Sequence, residues 1–168
     1  MAPTAIKSKL TVLAASVALF AGMVSASQAA PIVYEGTLTY GVAGTGTVPV
    51  NSYTDADAWD FWKFAGTAGD KVTITVNRTT GDMDPGFTFY LGEGGDTAGL
   101  GAFPGTSSTD GLLTFLGEDD DSGSDTPLGP FANSLLTFTL SSTGMYTIAA
   151  FDVIGGGTPM YEVTVNVA

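Results

Sequence analysis

Between Gly117 and Asp125 the chain reads Gly-Glu-Asp-Asp-Asp-Ser-Gly-Ser-Asp, its densest run of carboxylates. Carboxylates crowded on one stretch supply hard oxygen ligands, and calcium takes six to eight of them. Glu118, Asp119, Asp121 and Asp125 are therefore candidate calcium ligands. The spacing is not that of an EF-hand loop. Gly123 occupies a ligand position, and Pro130 stands where the closing glutamate belongs. Asp82 and Asp84, one strand away in the sequence, can join such a site. The competing reading of the cluster is a solvated acidic loop. For Asp82 and Asp84, as for Asp55 and Asp57, it is turn chemistry, in which Asp side chains accept from nearby backbone amides.

A second kind of chemistry lies in the aromatics. Trp59, Phe61, Trp62, Phe64 and Tyr90 offer flat apolar surface. Alternation sends Trp62 and Phe64 to one face of a strand and Phe61 to the other. Trp59 and Phe61, where exposed, form a ligand surface for sugar or peptide. Where buried, they are core.

Catalysis is tested by elimination. The chain has no histidine and no cysteine, which removes the usual general base, the serine–histidine pairing, the thiolate nucleophile and the commonest zinc ligands. Glu35, Glu93 and Glu118 are carboxylates of the type a glycosidase pairs, but nothing sets them at a fixed separation. Lys63 and Lys71 lie in or beside strands, and no serine motif accompanies them. The residues predict no enzyme.

Bulk properties set the environment. Lys7 and Lys9 precede an apolar run from Leu10 to Met23, followed by small residues at Ser27 and Ala29. This is the pattern of a secretory signal peptide over residues 1–29, cleaved after Ala29. The run is shorter than the ~20 residues that span a bilayer, so no membrane anchor is expected. The remaining domain, residues 30–168, keeps three basic residues, Lys63, Lys71 and Arg78, against all 17 acidic ones. Nucleic acid and anionic membranes need basic patches and are excluded as partners. Such acidity serves solubility outside the cell or the binding of divalent cations.

The elements that position these residues are all strands. Val72-Thr73-Ile74-Thr75-Val76 alternates strictly, and the alternating aromatics Phe61 to Phe64 run into Gly66 and Gly69-Asp70. These two stretches read as a hairpin at the centre of the fold. Further strand candidates are Ile32 to Tyr40, a short edge within Gly41 to Val50, Phe87 to Leu91, Leu112 to Leu116, Leu135 to Leu140, Met145 to Phe151 and Tyr161 to Val167. The stretch Gly92 to Gly111 reads as a long mobile loop. With no amphipathic helical run after the leader, the fold class is all-β: an antiparallel jelly-roll-like β-sandwich of about eight or nine strands.

The order of motifs resembles bacterial pre-peptidase C-terminal domains. Asp57-Ala-Trp-Asp60-Phe-Trp62-Lys-Phe64 and Ala68-Gly69-Asp70-Lys71-Val72-Thr73-Ile74 match the family's acidic–aromatic opening and its Ala-Gly strand. Asp82-Met83-Asp84-Pro85 before Phe87 to Leu91, the acidic Asp119 to Gly123, Ser142 to Ile148, and Gly157 to Val165 follow in the family's order. The resemblance spans Gly36 to Val167 and implies a jelly-roll-like sandwich without catalytic activity, carried by exported proteins and related to calcium-using collagen-binding modules. The resulting expectation is a secreted, calcium-stabilised module that binds an extracellular polymer or a secreted partner protein. The alternatives are a structural component of an extracellular matrix or biofilm, and a small carboxylate-dependent hydrolase.

Overall fold

Strict alternation over Lys71–Arg78 places Val72, Ile74 and Val76 inward, all fully buried, and leaves Thr73 and Thr75 at the surface side. The same arithmetic governs most of the chain. The computed structural model describes residues 29–80, 82–124, 131–155 and 159–168. Residues 1–28 of the expected leader lie outside them, as do Asp125 and Gly157.

Among the described residues nine strands form: β1 (Tyr34–Thr37), β2 (Gly44–Thr47), β3 (Asp60–Gly66), β4 (Lys71–Arg78), β5 (Pro85–Leu91), β6 (Thr114–Asp119), β7 (Ser134–Thr139), β8 (Gly144–Asp152) and β9 (Met160–Val167). They make two sheets, in the orders β1-β3-β8-β5-β6 and β2-β9-β4-β7. Every pairing is antiparallel except β1 with β3. The all-β sandwich is the architecture expected. Among the described residues no helix is long and apolar enough to cross a membrane.

The expected central hairpin does not form. β3 pairs with β1 and β8 in one sheet, and β4 pairs with β7 and β9 in the other. The four residues between them cross from sheet to sheet. Gly69, at φ 92°, turns the chain, and its amide donates to the Leu140 carbonyl while Leu140 donates back to Asp70. A short glycine turn between two strands is a local signal, and it serves a crossing as well as a hairpin. The scaffold role of the stretch stands: Trp62, Phe64, Val72, Ile74 and Val76 all lie in the core between the sheets. At its centre Phe64, Phe89 and Tyr146 stack with ring centroids 5.4 to 6.1 Å apart.

A second hydrophobic cluster covers the outer face of the five-stranded sheet. It gathers Ala56, Trp59, Phe61, Tyr90, Leu100, Leu113, Ala149 and Phe151. The stretch from Gly92 to Gly111 is thus not a free loop. It buries Leu100, Thr97 and Ser108 against that sheet, which is why β5 and the second half of β8 are buried on both faces.

Candidate functional site

The acidic residues meet at one end of the sandwich, where β4, β6 and β8 finish and β5 and β7 begin. Asp84 immediately precedes β5, and Asp152 ends β8 opposite Pro85. Asp119 ends β6 opposite Phe87. Arg78 occupies the last inward position of β4 and is 4% exposed.

Asp152 is the hub. It is fully buried, with one carboxylate oxygen accepting from the Asp84 amide at 2.9 Å and the other from the Asn51 amide at 2.8 Å. Its own amide donates to the Ser52 hydroxyl at 2.9 Å, and the Val153 amide donates to the Asp84 carbonyl at 2.8 Å. Gly155 is required beside it, since a Cβ there would run into both carboxylate oxygens. Arg78 ties the same end together. Its guanidinium donates to the Met83 carbonyl at 3.1 Å and to the Phe131 carbonyl, and its amide donates to the Asn133 side chain at 3.0 Å.

Asp84 is held differently. Its backbone is fixed by Asp152 and Val153, its side chain is 6% exposed, and its Oδ1 is buried without a hydrogen-bond partner. Burial raises its pKa to about 7, with Asp121, Asp120 and Asp152 adding repulsion and Arg78 opposing them. Asp120 is also raised, by burial first and then by Asp121 and Asp119. A buried carboxylate oxygen with no donor, repelled by further carboxylates, is an arrangement that a cation relieves.

The candidate ligands separate into two groups. Glu118 and Asp119 belong to β6 rather than to a loop. Glu118 accepts from the Gly105 amide at 2.6 Å, and Asp119 from the Leu135 and Ser122 amides at 2.7 and 3.0 Å. These two carboxylates fasten neighbouring segments. Asp82 stays exposed on its turn. Asp121 is exposed and its charge raises the Asp84 pKa, while Asp125 lies outside the described residues. No group of three acidic side chains among the described residues stands ready-made at metal-binding spacing. Asp120, Asp152 and Arg78 are not among the candidate site residues read from the sequence. Arg78 and Asp152 were legible in principle, because each continues the inward register of its strand.

Trp59 and Phe61 do not form a ligand surface. They are 5% and 3% exposed, in the second cluster. Trp59 packs on Phe151 with centroids 5.0 Å apart, and its indole donates to the Ser52 carbonyl at 2.8 Å. The physical reason is the packed stretch over the outer sheet face. Asp55 shows the turn chemistry: it caps a single turn of 3-10 helix by accepting from the Asp57 amide at 3.1 Å. The Asp57 carboxylate does not; it contacts the Ala30 amide and the Thr97 hydroxyl from distant parts of the chain.

No protein-family profile matches the chain, and no curated protein does. Solved structures do. CorA, a surface-associated copper-binding protein important in copper acquisition by Methylomicrobium album BG8, matches with a TM-score of 0.60 at 13% identity, covering 80% of this chain and 98% of that one. The secreted protein MopE of Methylococcus capsulatus, in which an oxidized tryptophan facilitates copper binding, matches with a TM-score of 0.53 at 13% identity over 79% and 87%. The pre-peptidase C-terminal domain of a Bacillus anthracis collagenase matches with a TM-score of 0.50 at 12% identity over 80% and 97%. In fold, the chain is a β-sandwich of the kind that the pre-peptidase C-terminal domain adopts, as its order of motifs implies.

Proposed function

We propose that the protein is an exported, non-catalytic β-sandwich module that binds an extracellular polymer or a secreted protein, and that a calcium ion stabilises its acidic end. The observation that carries the metal reading is the buried, unpartnered Oδ1 of Asp84, repelled by Asp120 and Asp121. The donors available there are carboxylate and carbonyl oxygens, which suit calcium or magnesium. Copper fits less well. The chain has no histidine or cysteine, and both tryptophans are buried with their indole N–H groups already donating, Trp59 to Ser52 and Trp62 to Tyr161. The export reading draws on the leader pattern and on the fold neighbours, two of which are surface-associated or secreted proteins.

A thermal melt in calcium and then in chelator tests the metal reading. Calcium at about 100 times its dissociation constant adds about 2.7 kcal/mol. Asp84→Asn and Asp121→Asn are each expected to lose that increment while keeping the fold. An unchanged melting temperature in the unsubstituted protein overturns it.

A further inference from the structure

The nitrogen of Ala30 sits in a receptor. It lies 3.1 Å from the Thr97 hydroxyl and 3.4 Å from Oδ1 of Asp57. Thr97 is buried, its hydroxyl also contacts the Asp57 carboxylate, and its amide donates to the Ala30 carbonyl at 3.0 Å. The next residues continue the docking. Ile32 donates to the Gly95 carbonyl at 3.0 Å, and Pro31 bridges to Asp96. Asp57 is itself positioned by the Asp55 cap on the turn Ala56–Ala58. Ala29 opens into a cavity of about 530 Å³ lined by Asp55, Asp57 and Thr97 among other residues, none of them basic.

Ala30 is the residue that the leader pattern exposes. Hydrolysis of the Ala29–Ala30 peptide bond by a signal peptidase consumes one water, leaving a carboxylate on Ala29 and an ammonium on Ala30. An amide with one N–H then becomes a cation with three, at a nitrogen already within ion-pair distance of Asp57.

We infer that Asp57 and Thr97 form a binding site for the chain's own processed α-ammonium, so that removal of the leader creates the ion pair that fastens the N-terminal segment over the second core. This rests on the export reading. The carboxylates that line cavities with Ala29 or Ala30 are Asp55 and Asp57 at the 3-10 turn, Asp96 from the opposing segment, which also accepts from the Ala98 amide at 2.9 Å, and Glu35 and Asp60 from β1 and β3. When ionised, each of them favours the charged amine.

The test uses the exported protein purified from the full-length gene. Intact mass is expected to place its first residue at Ala30. Selective acetylation of the α-amine is expected to lower the melting temperature by about 2 °C at pH 6, the scale of one partly exposed ion pair in a chain of this size. The difference is expected to vanish in Asp57→Asn. The sign follows from linkage: an amine whose folded pKa is raised stabilises fully below its unfolded value, near 8, and loses that contribution as pH rises through the folded one. In the unmodified protein the α-amine, followed by NMR, is expected to titrate above ordinary N-termini, which needs no variant to fold. A product that begins elsewhere overturns the inference by removing the ligand and refutes the expected cleavage position. A product that begins at Ala30 but has an ordinary amine pKa and no response to acetylation overturns the receptor and leaves the export reading standing.

Discussion

Asp60 starts β3 in one sheet and is bonded to the other. The Trp62 indole donates to the Tyr161 hydroxyl at 2.7 Å, and that hydroxyl donates to Oδ2 of Asp60 at 2.8 Å. Trp62 and Asp60 lie on β3 and Tyr161 on β9, so the chain of bonds joins the sheets across the core. Gly46 on β2 makes room for it, since a Cβ there would strike the Tyr161 hydroxyl and Asp60. Burial raises the Asp60 pKa to about 6, and Glu35 adds to the rise, against the bonds from Tyr161 and the Thr47 amide. A folded pKa above the unfolded one means that the charged form is penalised in the fold. Stability should therefore fall as pH rises from about 4 to about 6, by roughly 2 kcal/mol once partial exposure is allowed for. Asp60→Asn keeps an acceptor for Tyr161 and is expected to flatten that portion of the stability–pH curve in urea titrations. Identical curves for both proteins would remove Asp60 as the cause. Asp84 was singled out in the sequence because it stands among other acids. Asp152 was not, because a single acid after the apolar Ala149-Ala150-Phe151 gives no local signal beyond its register.

Elements carry a different lesson. The alternation of β4 was legible because one face meets the core and the other meets solvent. The partner of β4 was not, because pairing with β9 and β7 joins residues more than 55 positions apart, and no local pattern encodes that choice. The same limit explains the reading of Gly92 to Gly111 as mobile. Its glycines and serines look like a linker, and the apolar residues that anchor it, Leu100 and Leu113, are too widely spaced to form a pattern. Both are nonetheless fully buried in the second cluster. Leu100→Ala is therefore expected to cost about 2–4 kcal/mol, as a core truncation does, in chemical denaturation. A cost within about 0.5 kcal/mol, as at a surface site, would return the stretch to the status of a loose loop. Trp59 and Phe61 follow from the same fact: with this layer in place, the outer face of β3 is interior.

At the scale of the molecule, three basic residues oppose 17 acidic ones over residues 30–168. Self-repulsion of that size weakens the compact state, and salt screens it, the Debye length falling from about 8 Å at 0.15 M to about 3 Å at 1 M. Melting temperature should therefore rise with sodium chloride in a graded way that does not saturate. Calcium can act by that route or by occupying the acidic end, and the two are separable. Screening depends on ionic strength alone, whereas a site saturates and depends on particular carboxylates. Calcium at millimolar concentration is expected to raise the melting temperature beyond sodium chloride of equal ionic strength. Asp84→Asn and Asp121→Asn should abolish this excess and leave the sodium chloride slope nearly unchanged. Exchanging the exposed Asp82 should leave both intact, because it is not among the carboxylates that act on Asp84. If calcium and sodium chloride of equal ionic strength act alike in the unsubstituted protein, the charge of the molecule is answered by screening alone and the acidic end holds no ion.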